Sequence, residues 1–75
     1  MRIQAIREDN AIAIDGEWRT VAAWSAALPE GWWAVQHDDA GMSDLEFGPS
    51  NRRNESPVPP GVLALLKTQW ENAGG

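Results

Sequence analysis

The sequence contains no cysteine and only one histidine, His37. The lack of cysteine excludes a disulfide framework, and a single imidazole is too few for the usual zinc centres. Basic residues are also scarce, because six of them oppose eleven acidic residues and the formal net charge is −5. Phosphate backbones repel a chain with this charge, so we expect no binding to nucleic acid.

Long apolar runs are absent as well. No run approaches the ~20 residues that cross a bilayer, and the N-terminal residues lack the apolar core of a signal peptide. We therefore expect a soluble protein that makes no contact with membranes and lies in the cytoplasm.

A chain of 75 residues is expected to form one small domain, 1–75, with a free energy of unfolding of roughly 4–11 kcal/mol. Domains of this size usually need disulfides or a metal for stability. Here the tryptophans take their place, because one indole ring can bury on the order of 200 Å². The five tryptophans are Trp18, Trp24, Trp32, Trp33 and Trp70.

The segment 1–47 has the pattern of short antiparallel strands. Its first apolar runs are separated by a polar turn, and Asp15-Gly16 is a strong hairpin signal because a type I′ turn needs positive φ at both central residues. A further hairpin follows around a predicted turn at 38–41, and its last strand alternates apolar and acidic residues as half-buried strands do.

A proline-rich loop, 48–61, separates this sheet from a predicted C-terminal helix, 61–73, which is stable only when it docks on the sheet. We therefore predict an α+β fold: an antiparallel meander sheet of four or five short strands, with the helix packed on one face. The predicted core consists of apolar residues on the inward faces: Ile12, Ile14, Trp18, Trp33, Val35, Leu45, Phe47, Leu63, Leu66 and Trp70.

Trp32 and Trp33 stand side by side in one predicted strand, where neighbouring side chains point to opposite faces. Trp33 shares its face with Val35, so we predict Trp33 in the core. Trp32 is then predicted on the outer face beside Ala34 and Gln36, where the small alanine leaves room for a contact.

An exposed indole is a natural anchor for a partner, since tryptophan is enriched among the residues that dominate binding energy. We therefore name Trp32, Trp24 and Gln36 as candidate binding residues. Three environments compete for Trp32: contact with a protein partner or with a second copy in a homodimer, cover by the 48–61 loop, and simple exposure to solvent.

His37 precedes Asp38 and Asp39, and a histidine with carboxylates can form an acid/base pair or part of a metal site. The surrounding segment lacks further histidines and the spacing of an EF-hand, and no serine lies in a nucleophile elbow. The acidic pair is better explained as a turn. We expect no catalytic residue, no metal site and no cofactor.

Several short motifs of residues 11–47 resemble a group of small phage and prophage proteins encoded in the tail or tail-fibre region. In that group an I-D-G strand and an L-P connector precede an A-V-Q strand and a strand that ends in an acid and an aromatic residue. The matching residues are Ile14-Asp15-Gly16, Leu28-Pro29, Ala34-Val35-Gln36 and Glu46-Phe47. His37 departs from the pattern, since tryptophan is common at that position, and the loop here is richer in proline and arginine.

The resemblance implies a non-catalytic accessory protein that binds a tail or tail-fibre component, in assembly or in the virion. Two other classes of function stay open. A small ligand-binding module would use exposed tryptophans for carbohydrate or peptide, and an enzyme would use His37 with the acidic residues of 38–46.

Overall fold

The computed structural model describes residues 1–48 and 53–74, so part of the predicted 48–61 loop, residues 49–52, lies outside the described residues. Within the described ranges the chain forms five antiparallel strands and one helix, which confirms the predicted α+β fold. The elements are β1 (Arg2–Ile6), β2 (Ala11–Ile14), β3 (Glu17–Thr20), β4 (Trp32–Asp38), β5 (Ser43–Phe47) and α1 (Pro60–Ala73).

The strand order is β3-β2-β1-β4-β5, which interrupts the predicted meander at one connection. Strands β1 to β3 form one meander and β4 with β5 forms a hairpin, but the segment between Thr20 and Trp32 returns the chain to the far side of β1. There Ala5 pairs with Val35. This order leaves β3, three of whose four residues are exposed, at an edge of the sheet.

The predicted hairpin between β2 and β3 is confirmed. Asp15 has a φ of 50° and Gly16 a φ of 86°, and Ile14 pairs with Glu17 across them. These are the two positive φ values of a type I′ turn. The turn between β4 and β5 is held by Asp38, whose Oδ1 accepts a hydrogen bond from the Ala40 amide at 2.8 Å.

Helix α1 packs on one face of β1, β2 and β3. Pro60 lies at its first turn, where the missing amide costs nothing, and Val62 and Leu66 are the buried residues of the helix. Leu63 and Trp70, which we predicted in the core, are partly buried against it. Three loop residues complete this core: Val21, Leu28 and Val58.

The prediction for the adjacent tryptophans is wrong: Trp32 is buried, at 4% exposure, and Trp33 is exposed at 38%. The cause is a β-bulge. Trp32 pairs with Phe47 and Ala34 pairs with Glu46, so Trp33 is an extra residue without a partner in β5. An extra residue reverses the alternation of side chains, and Trp32 therefore faces the core together with Val35.

The core prediction for Trp18 is also wrong, since this ring is 48% exposed. In β3 it is Glu17 and Arg19 that point towards α1, because they pair with the inward-facing Ile14 and Ile12. Arg19 tolerates this position because its guanidinium carbon lies 3.5 Å from the centroid of the Trp70 ring.

Replacement of the buried indole tests the bulge. We expect Trp32→Ala to lower the free energy of unfolding by about 3–5 kcal/mol, because it opens a cavity in the core. Trp33→Ala should cost about 1 kcal/mol. Urea denaturation followed by circular dichroism measures both, and a larger loss for Trp33→Ala than for Trp32→Ala would contradict the bulge.

Candidate functional site

The face of the sheet opposite α1, here called the outer face, carries two rows of side chains that run across all five strands. The registers of the strand pairs define both rows. One row contains Trp18, Ala13, Gln4, Gln36 and Asp44, and the other contains Thr20, Ala11, Ile6, Ala34 and Glu46.

Trp18 stands opposite a small residue at one edge of the outer face. Ala13 is only 1% exposed although it faces away from α1, and its cross-strand neighbours on this face are Trp18 and Gln4. An alanine has too little side chain to hide itself, so larger side chains around it exclude water. About half of the Trp18 surface remains open to solvent, at 48% exposure.

Trp33 lies on a second small residue, Gly48. A Cβ atom at Gly48 would stand 2.5 Å from Cδ2 and Cε3 of the Trp33 ring, which is closer than any real contact. The ring therefore rests directly on the Gly48 backbone and exposes its other side. Because the bulge turns Trp33 away from the core, this platform belongs to the β4–β5 end of the outer face.

The two exposed rings are well separated and have acidic neighbours on one side. Trp18 in β3 and Trp33 in β4 are three strand spacings apart across the sheet, about 14 Å. Asp44 and Glu46 stand in β5, and the two rows contain no basic residue. The β4–β5 end therefore combines a flat aromatic surface with negative charge.

The predicted binding residues do not form one site. Trp32 is buried, and Trp24 packs edge-on against it with ring centroids 4.7 Å apart. Trp24 is also fixed by its indole Nε1, which donates to the Arg7 carbonyl at 3.1 Å. Only Gln36 lies exposed on the outer face. The structure thus packs Trp24 and Trp32 together and leaves Gln36 apart from them on the outer face.

Trp18 and Trp33 are the residues that the sequence analysis assigned to the core. One signal for Trp33 was available, because Gly48 follows the aromatic end of β5. A glycine in such a position leaves a gap that an aromatic side chain from the neighbouring strand can fill. Trp18 carried no comparable signal, since its alternation with Glu17 and Arg19 fits either face.

A second polar cluster surrounds His37. Its Nε2 lies 3.0 Å from Oδ1 of Asp39, and its Nδ1 lies 2.9 Å from Oγ of Ser43. A carboxylate only accepts hydrogen bonds, so Nε2 donates to Asp39, and in the neutral ring Nδ1 accepts from the Ser43 hydroxyl. The residue types are those of a serine hydrolase triad, but the ring nitrogens are exchanged, because in that triad the serine contacts Nε2 and the aspartate contacts Nδ1.

The surroundings of Ser43 favour a structural role for this cluster. Ser43 Oγ also accepts a hydrogen bond from the Val58 amide at 2.9 Å, and Val58 is buried in the core. The hydroxyl therefore joins β5 to the segment before α1. A hydrolase also needs donors for an oxyanion and room for a substrate beside the nucleophile, whereas Val58 occupies this side of Ser43.

Asp39 extends the cluster to the N-terminus. The Met1 ammonium donates to Asp39 Oδ2 at 2.7 Å. This hydrogen bond holds the pKa of the Asp39 carboxyl below its ordinary value, and the hydrogen bond from His37 acts in the same direction. The same contact with Asp39 raises the pKa of the Met1 ammonium.

The described residues also form a cleft beside α1 and a pocket beside His37. A shallow cleft of about 340 Å³ runs between the loop residues Val21 to Ala23 and the end of α1, and Gln69 crosses it with a hydrogen bond to the Ala23 carbonyl at 2.7 Å. A smaller pocket of about 210 Å³ is lined by Arg2, Gln36, His37, Asp38 and Met42. Neither contains one of the exposed rings.

Substitution of Gly48 tests the Trp33 platform. Gly48→Ala should displace the ring and cost about 1–3 kcal/mol of stability, because the new methyl group occupies the position of ring atoms. Gly61→Ala is the control, since nothing lies within 4 Å of that Cβ position. Indole resonances in ¹H–¹⁵N spectra measure the effect, and an unmoved Trp33 resonance in Gly48→Ala would contradict the stacking.

The Asp39 contacts predict a pH dependence of stability. The folded-state pKa is depressed, so the contribution of Asp39 is complete above its ordinary value of 3.8 and is lost as the pH falls below it. We expect the midpoint of urea unfolding of the wild type to approach that of Asp39→Asn as the pH is lowered through this range. Asp9→Asn, in an exposed turn, is the control, and a constant difference between wild type and Asp39→Asn would refute the prediction.

Among residues 1–48 and 53–74, no helix is long and apolar enough to cross a membrane. In the same ranges, no group of three or more histidine or acidic side chains is placed to hold a metal ion. Comparison of the chain with protein-family models, with curated proteins and with solved structures found no match.

Proposed function

We propose that this protein is a non-catalytic accessory protein of a phage or prophage, and that it binds a tail or tail-fibre component through the outer face of its sheet. One observation carries the binding part of the proposal. Two indole rings, Trp18 and Trp33, belong to the sheet face that α1 leaves uncovered, and they are 48% and 38% exposed.

The exposure of these two rings favours a role in binding, because the same chain buries another indole in its core. Trp32 is 4% exposed, while Trp18 and Trp33 present large apolar surfaces to water. Scattered apolar residues on a surface need no explanation, but tryptophan is the residue most enriched at the energetic centres of interfaces. Small neighbours, Ala34 beside Trp33 and Ala13 opposite Trp18, leave a partner room to approach the rings.

The resemblance of residues 11–47 supports the phage or prophage context. Its motifs fall in β2, β4 and β5, which are three of the five strands of the sheet, and in the connection that precedes β4. A tail accessory protein meets its partner in the cytoplasm of the host cell, during assembly, and either leaves or stays with the particle.

A ligand-binding module for carbohydrate or peptide is the alternative, since an exposed indole can also stack on a sugar. The separation of the rings, about 14 Å across the sheet, favours a partner that spans the face over a small ligand that covers one ring. A second copy of the chain would also span the face, and this would form an isologous dimer.

The proposal is tested by binding between the purified protein and the tail and tail-fibre proteins encoded by neighbouring genes, measured by calorimetry. We expect Trp33→Ala and Trp18→Ala each to weaken binding by about tenfold or more while the protein stays folded. Lys67→Ala is the control, because Lys67 is exposed on α1 at the opposite side of the sheet.

Three results would contradict the proposal. Unchanged affinity in both tryptophan variants would exclude the outer face as the binding surface. Binding to oligosaccharides, lost in the same variants, with no binding to the tail proteins would favour the ligand module. A dimer in analytical ultracentrifugation that Trp18→Ala or Trp33→Ala converts to monomer would show that the face closes a homodimer.

A further inference from the structure

In the described part of the chain, a tryptophan and a carboxylate together bind an arginine side chain. The Arg19 guanidinium lies over the Trp70 ring, 3.5 Å from its centroid, and its Nη2 and Nε lie 2.6 and 2.8 Å from Glu17 Oε2. Arg19 Nη1 also donates to the Trp70 carbonyl at 3.0 Å. The indole face attracts the cation while the carboxylate fixes its orientation.

The outer face holds the same two components, and among residues 1–48 and 53–74 no cation lies over the Trp33 ring. Trp33 exposes one side of its ring while the other rests on Gly48. Glu46 precedes Gly48 by two positions, so both residues face the same side of the sheet and their Cα atoms are about 7 Å apart. Within residues 1–48 and 53–74, Glu46 forms no ion pair.

We propose that Trp33 and Glu46 form a binding site for an arginine side chain of the partner protein. The inference rests on the proposed function, because it assigns the chemistry of the partner at the outer face. The guanidinium stacks on the exposed side of Trp33 and donates hydrogen bonds to the Glu46 carboxylate. Asp44, in the same strand, adds negative charge two positions before Glu46.

Charge and shape together select arginine. The chain has a net charge of −5, and the two rows of the outer face carry only acidic charges, so the complementary surface of a partner is basic. A guanidinium is planar and matches both a flat indole and the two oxygens of a carboxylate, whereas an ammonium group is a strongly hydrated point charge. A neutral sugar can stack on the ring and donate hydroxyl hydrogen bonds to the carboxylate, but it has no charge that complements Glu46 and Asp44.

The experiment uses short acetylated peptide amides as probes, Gly-Arg-Gly and the same peptide with citrulline in place of arginine. Citrulline keeps the planar shape but is neutral. Binding is followed through the Trp33 indole resonance in ¹H–¹⁵N spectra. We expect saturable shifts with the arginine peptide, weaker binding at high salt, and affinity for the citrulline peptide lower by about 2–5-fold or more.

Substitutions separate the two components. Glu46→Gln should weaken binding of the arginine peptide by about 2–5-fold and remove most of its preference over citrulline. Trp33→Ala should abolish binding. Because this variant lacks the Trp33 indole, its binding is followed through backbone amide resonances of β4 and β5. Lys67→Ala is again the control and should bind as the wild type does. Equal affinity for both peptides in the wild type, or full affinity in Glu46→Gln, would overturn the arginine site.

The failure of this inference is distinguishable from failure of the proposed function. One outcome is that a tail protein binds the wild type and loses affinity in Trp33→Ala, but keeps its affinity in Glu46→Gln and at high salt. The outer face then binds the partner, but no arginine of the partner contacts Glu46. If the tail protein binds Trp33→Ala and Trp18→Ala as tightly as the wild type, the interaction surface itself is wrong.

Discussion

One extra residue in β4 decides which tryptophans the protein buries and which it presents. Trp32 and Val35 both face the core although they are three positions apart, and regular alternation cannot place them on one side. The bulge at Trp33 resolves this conflict. Trp32 then meets Phe47 across the strand pair and Trp24 edge-on, while Trp33 turns outward. The buried core and the exposed platform are therefore two consequences of one local irregularity.

The opposite edge of the sheet follows from a different constraint. Helix α1 reaches β3 with Trp70, whose indole Nε1 donates to the Glu17 carbonyl at 2.9 Å. Arg19 stacks on this ring and caps the helix end through its bond to the Trp70 carbonyl. Positive charge is favourable at the C-terminus of a helix. Because Glu17 and Arg19 point towards α1, Trp18 between them must point to the outer face.

The elements that depend only on residues close together in the chain could be predicted from the sequence. The type I′ hairpin at Asp15-Gly16 and the helix after Pro60 depend on neighbouring residues alone, and both are confirmed. The face of the sheet to which Trp33 points depends on the bulge, and the face to which Trp18 points depends on the Arg19 contact with α1. Both features join residues far apart in the chain. Periodicity contains no information about such contacts, so the same pattern that located the strands assigned both exposed rings to the core.

The same separation of local from distant information applies to the candidate site. Alternation did identify a strand face with alanine, glutamine and one tryptophan, and that face exists, but the bulge replaces Trp32 by Trp33 as its indole. The exchange changes the chemistry of the surface. Trp33 lies against Gly48, two residues after Glu46, whereas Trp32 lies inside the core. A bulge that served packing alone could leave any apolar residue outside. Here it leaves an indole near Glu46, which forms no ion pair within residues 1–48 and 53–74. The guanidinium of Arg19, held between Trp70 and Glu17, is the precedent within this chain for the arginine site that we propose.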